Sequence, residues 1–131
     1  MTAAMIAGLS GGTLTADERT FYRDVQPAGV ILFKRNVLEP SAVRSLVDDV
    51  RNAVGSEQFL VLIDQEGGRV QRLKAPAARD LPPAAAFAAL YEVDPEQAKH
   101  AAYSVARLAA HDLSRYGVTM NCAPVLDVPV P

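Results

Sequence analysis

Apolar runs of strand length alternate along this chain with stretches that repeat at helical period. AAMIAGLSG (3–11), GVILFKRN (29–36), FLVLID (59–64) and VTMNCAPVLDV (118–128) predict four strands. The second and third are apolar at consecutive positions, as strands covered on both faces are. Thr15, with Glu18 three residues later, predicts a capped helix over TLTADERTFYRDVQP, with Pro27 beyond its stop. EPSAVRSLVDDVRNAVG places Val43, Leu46, Val47, Val50 and Val54 on one helical face, with Pro40 in the first turn and Gly55 as C-cap. A third helix is predicted from Pro95 to Tyr116, capped by Gly117, with Ala98, Ala101, Val105, Leu108 and Ala109 facing inward. GGRVQRLKAPAARDLPP (67–83) reads instead as a long polar loop with three prolines.

Strand–helix alternation of this kind implies an α/β fold of parallel strands joined by right-handed crossovers. Four such strands fit either a doubly wound sheet or part of a (β/α)8 barrel. The glycines of GLSGGTL are not spaced as the dinucleotide-binding fingerprint G-x-G-x-x-G. Polar residues gather at strand C-terminal ends: Lys34-Arg35-Asn36, Asp64-Gln65-Glu66 and Asp127. Both fold types carry their active sites along that edge.

Composition narrows the picture. The chain has 131 residues, of which 50% are hydrophobic and 21% charged, enough apolar material for one domain with a core. A net charge of -2 leaves no basic footprint for nucleic acid. Cys122 is the one cysteine, so no disulfide forms within the chain, which favours a reducing compartment such as the cytoplasm. No apolar run approaches the roughly 18 residues of a membrane helix. MTAAMIAGLSGG is apolar but lacks the basic start of a signal peptide.

The densest chemistry sits in VLIDQEGGRVQR (61–72). Asp64 closes an apolar strand, where it either enters a site or caps the loop. Asp64 and Glu66 could form a glycosidase acid pair. In extended chain their side chains would share a face at about 6.7 Å. That is compatible with the roughly 6.5–9.5 Å of an inverting enzyme. The Gly67-Gly68 bend opposes this by turning Glu66 away. The two glycines and Arg69 could form an anion nest and clamp. The alternative is a β-hairpin, with Val70 tucked in and the arginines on opposite sides. Arg72 is long enough to reach back, so that Asp64 and Arg72 together could grip a polyhydroxyl ligand. His100 and His111 are three helical turns apart and read as surface residues, too distant to share a metal. Cys122 reads as a packed thiol. Asp127 either lines a site or caps a loop. No nucleophile paired with a base, no metal cluster and no phosphate loop is found in the sequence.

GVILFKRN, LVLIDQEGGRVQRLK, LPPAAAFAAL and NCAPVLDV, in this order and spacing, resemble the N-terminal portion of glycoside hydrolase family 3. The branch they resemble is that of the bacterial β-N-acetylglucosaminidases of peptidoglycan recycling. The resemblance covers essentially the whole chain, DQEGGRVQR being its most specific segment. It implies the N-terminal portion of a (β/α)8 barrel, a domain continuing beyond Pro131. It also implies cytoplasmic, retaining hydrolysis of N-acetylglucosaminyl-anhydromuramyl species, with no metal and no cofactor. On this resemblance Asp64 and Arg72 are substrate-binding residues, and Asn36 and Asp127 are weaker candidates to line the site. Neither Asp64 nor Glu66 is then the nucleophile. The family's further arginine, its Lys-His segment, its Asp-His acid/base pair and its aspartate nucleophile all fall later than Pro131. The chain alone is therefore expected to be inactive. It is also expected to self-associate if it is really this short, because four parallel strands leave unpaired edges. A β-glucosidase or β-xylosidase of the same family, or a non-catalytic sugar-binding or assembly module, is the alternative reading.

Overall fold

The computed structural model describes residues 2–56 and 58–126. Four strands form one parallel sheet in the order β1-β2-β3-β6. They are β1 (Ala3–Gly8), β2 (Pro27–Leu32), β3 (Leu60–Ile63) and β6 (Met120–Asn121). Between β3 and β6 the chain makes a small antiparallel pair, β4 (Gln65–Gly67) and β5 (Val70–Gln71). Four helices complete the described chain: α1 (Ala16–Val25), α2 (Pro40–Val54), α3 (Ala84–Val93) and α4 (Pro95–Ser114).

Local chemistry sets most boundaries. The Thr15–Glu18 capping box starts α1, and Glu18 also accepts the Ser10 N–H at 2.7 Å, tying the helix to the loop after β1. Gln26 ends α1 in the left-handed conformation. Pro27 lies beyond that stop, as its place in the sequence predicted. It is the first residue of β2, where a strand tolerates proline. Helix α2 has Pro40 in its first turn, and Gly55 closes it at φ 71°. The predicted strands are all present but shorter. Lys34–Asn36, read as the end of a strand, winds into a 3-10 turn. The stretch predicted as strand over 118–128 pairs only at Met120–Asn121 among the described residues, and Asp127 lies outside them.

The core lies where α1 and α2 cover β2 and β3. Val43, Leu46, Val47, Val50 and Val54 of α2 are all buried, as their spacing predicted. They meet Val30, Leu32, Val61 and Ile63 of the sheet. Tyr22 packs edge-on against Phe21 and Phe59 and donates its hydroxyl to Gly8 O at 3.3 Å. The α4 face departs from expectation. Ala98 and Ala109 are buried, but Leu108 is 43% exposed, and burial passes instead to Asp112 and Leu113 near the helix end.

Candidate functional site

Strand β3 delivers Asp64 to the C-terminal edge of the sheet. Its last residue, Ile63, is in register with Leu32 of β2 and Asn121 of β6, so Asp64 emerges between two neighbouring strand ends. The chain then turns back on itself. Gly67 at φ 96° and Gly68 at φ 59° make the bend of the β4–β5 hairpin in conformations that glycine adopts without strain. A Cβ on Gly67 would stand 2.2 Å from Pro82 O, so the bend also presses against the returning loop.

The hairpin returns Arg72 to the strand mouth. Its Nη2 donates to Asp64 Oδ2 at 2.6 Å, with the two side chains 26% and 19% exposed. This is a half-buried, charge-assisted bond that fixes one carboxylate oxygen and leaves the other available as an acceptor. Arg72 Nε is buried without a partner among the described residues. An unmet buried donor costs about 1–3 kcal/mol and calls for an explanation beyond packing.

Two buried glutamines hold the arrangement. Gln65 Oε1 accepts the backbone N–H of Arg72 and of Leu73, each at 3.0 Å, and its Nε2 donates to Leu73 O at 2.6 Å. Gln71 Nε2 donates to Leu73 O and Arg79 O, and its Oε1 accepts Leu81 N–H. Asn121 closes the other side, accepting Gln65 N–H at 3.0 Å and donating to Gln65 O at 2.9 Å. The loop is then pinned to the end of α4. Asp112 accepts from Arg79 N at 3.0 Å and from its Nη1 at 2.6 Å, and Tyr116 Oη donates to Ala77 O at 2.7 Å. Burial pushes the Asp112 carboxyl up. The bonds from Arg79 and His111 and their charges outweigh it and hold the group below the usual carboxylate range.

The predicted residues separate into two sets. Asp64 and Arg72 come together. Asn36, read as a lining candidate, is 2% exposed and its carboxamide is engaged on both sides: it accepts Phe33 N–H at 2.8 Å and donates to Leu9 O and Gly11 O. It joins the loop after β1 to the 3-10 turn, and both of its N–H donors are taken by backbone carbonyls. Beside it Arg35 donates to Leu9 O and lies over the Phe33 ring. Glu66 and Arg69, natural candidates to brace the loop, make no side-chain bond among the described residues; the glutamines do that work. Cys122 is partly exposed rather than packed. Burial and the neighbouring charges of Asp64 and Glu66 push its thiol up, which keeps it protonated and a poor nucleophile. His100 and His111 are exposed on α4. Among the described residues no three His, Cys, Asp or Glu side chains converge as metal ligands would.

Gln65, Gln71 and Asn121 were not singled out in the sequence, although Gln65 and Gln71 flank the two glycines at near-equal distance. A neutral amide in such a place is silent in pattern and charge. Its role follows only from which backbone groups the hairpin leaves unpaired.

Residues 4–130 match the family model described as glycosyl hydrolase family 3 N terminal domain. A beta-hexosaminidase of Alkalilimnicola ehrlichii is 40% identical over 124 residues, covering 95% of this chain and 35% of that protein. One from Stenotrophomonas maltophilia is likewise 40% identical, covering 95% and 36%. NagZ from Neisseria gonorrhoeae, solved in complex with N-trifluoroacetyl-D-glucosamine, superposes with a TM-score of 0.88 at 29% identity, over 97% of this chain and 37% of that one. A family 3 beta-N-acetylglucosaminidase from Paenibacillus sp. superposes at 0.79 with 32% identity, over 94% and 23%. The chain thus spans about a third of the length of the curated relatives it matches.

Proposed function

The chain belongs to glycosyl hydrolase family 3, and from that premise we propose that the protein hydrolyses terminal β-linked N-acetylglucosamine. The substrates we assign are peptidoglycan-derived muropeptides of the N-acetylglucosaminyl-anhydromuramyl type, cleaved in the cytoplasm with retention of configuration. This chain is the substrate-binding, N-terminal part of a (β/α)8 barrel, and the nucleophile and acid/base lie outside it. Relatives named beta-hexosaminidase and a neighbour holding an N-acylglucosamine analogue support the sugar class. Among the described residues no helix is long and apolar enough to cross a membrane.

The observation that carries the site assignment is the 2.6 Å Asp64–Arg72 bond at the strand mouth. Asp64 accepts from sugar hydroxyls through its free oxygen, and Arg72 orients it and donates alongside. Their separation and burial fit a grip on a neutral polyol, since the pair sets a fixed acceptor and a fixed donor side by side at the strand mouth. Asp64→Ala in the protein carrying this chain is expected to lower hydrolysis of an aryl N-acetylglucosaminide by about 100-fold or more, the scale of a lost charged contact to the transition state. Turnover within threefold of the parent would remove Asp64 from the site.

A further inference from the structure

A concavity lies between the start of α2 and the loop after β5, and Arg72 of the strand mouth is on its wall. It has a volume of about 730 Å³. Its walls carry five cations from four segments: Lys34, Arg44, Arg72 with Lys74, and Arg115. We propose that this groove is a binding site for a small, multiply charged oxyanion, a molecule bearing two or more phosphoryl or carboxylate groups.

The charge count leads to that class. Arg44 is neutralised by Asp48 at 3.0 Å and Arg72 by Asp64 at 2.6 Å. Among the described residues, Lys34, Lys74 and Arg115 have no carboxylate within 4 Å. The one acid of the groove is Glu39, whose carboxylate accepts Ser41 Oγ–H at 2.6 Å. Three cations without a carboxylate partner among the described residues repel one another around one concavity, the more so at low salt. They gather in a chain whose net charge is -2, so average composition does not account for them. The groove falls within the roughly 300–1,000 Å³ of small-molecule sites. Buried Val37 and the half-buried Tyr116 ring give it an apolar floor. One negative charge would leave most of the cationic wall unmatched, and a neutral sugar would leave all of it. The requirement is therefore for at least two anionic groups. Arginine supplies a planar fork for either kind of oxyanion, and the lysines supply mobile point charges.

Calorimetric titration of the purified protein with sodium pyrophosphate and, separately, with citrate tests the site. Saturable binding in at least one arm is expected. Response to pyrophosphate alone marks a phosphoryl ligand, and response to citrate alone marks a carboxylate ligand. Lys74→Ala/Arg115→Ala is expected to weaken that binding at least tenfold. Lys99→Ala/Arg107→Ala, which removes two cations outside the groove, is expected to change it less than twofold. Should the first double variant not fold, Lys34→Ala alone is expected to weaken binding at least threefold. No saturable binding in either arm overturns the proposal, as does an equal loss from the variants inside and outside the groove.

Discussion

Helices α2 and α3 begin from opposite compositions and end in opposite environments. Four of the fifteen residues of α2 are charged, yet five of its side chains are buried. Five of the ten residues of α3 are alanine and one is charged, yet none of its residues is buried. The difference is pattern. In α2 the apolar positions recur at 43, 46, 47, 50 and 54 and make one stripe against β2 and β3. In AAAFAALYEV the apolar residues surround the helix, so no face is marked for the sheet, and α3 rests against α4. Together α3, α4 and β6 form a wide apolar groove of about 700 Å³, lined by Phe87, Val105 and Met120 among others. One half of the molecule is thus a finished core, and the other is an apolar surface.

The comparison breaks if the α2 side is not the stabilising one. Leu46→Ala removes a side chain that is 2% exposed inside the core. The expected loss is about 2–5 kcal/mol of unfolding free energy, from lost transfer energy plus a residual cavity. Chemical denaturation of the two proteins measures it. A loss below about 1 kcal/mol would mean that the α2 face is not packed as described.

The hairpin between the two halves comes next. Gly67→Ala would place a Cβ 2.2 Å from Pro82 O at a backbone φ of 96°. The strain alone is of order 1–3 kcal/mol, and relieving it means moving either the bend or the 81–83 segment. We expect loss of stability together with loss of aryl N-acetylglucosaminide hydrolysis, because the same bend returns Arg72 to Asp64. If stability falls while hydrolysis is unchanged, the hairpin does not position the grip.

Much of this was legible along the chain. Apolar runs of strand length located the four parallel strands, and stripes at helical period located α2 and α4, because those elements bury apolar side chains in bulk. The Thr15–Glu18 box and Gly55 marked helix ends because caps are local chemistry. Asp64 and Arg72 could be paired because a two-glycine bend permits only a short return. Helix α3 was missed where LPPAAAFAAL gives no amphipathic period, and two prolines suggested loop. Leu108 was misassigned because α4 turns its burial toward the loop through Asp112 and Leu113 rather than along the full apolar stripe. Asn36 looked like a site residue because it stands at a strand end. Its carboxamide instead satisfies backbone groups 25 and 27 residues away, a requirement no local pattern carries.

Acid should loosen the loop before the core. The Asp112 carboxyl is held below its ordinary value in the folded protein. A group whose folded pKa is depressed contributes stability that is complete above its unfolded value, about 4. That contribution is lost as pH falls through the lower, folded value. Asp112→Asn keeps the shape but removes the titration. Its stability should fall less steeply than the parent's as pH drops below about 4. Stability measured from pH 7 to pH 2 would show this, and parallel curves would put the acid sensitivity elsewhere.

The smallest effect is the one that defines the other half of the comparison. Leu108 is 43% exposed on α4, so Leu108→Ala removes little that was taken from water. The expected change is within about 0.5 kcal/mol, the ordinary range for a surface position. Set beside Leu46→Ala, it separates a leucine in a core from a leucine exposed on a helix within one fold. A loss of about 2 kcal/mol or more would be a core-sized penalty. It would mean that the Leu108 side of α4 is covered in the folded protein, by a second copy or by further chain. Repeating the measurement across a hundredfold range of protein concentration distinguishes the two, because only cover by a second copy makes the Leu108 penalty depend on concentration.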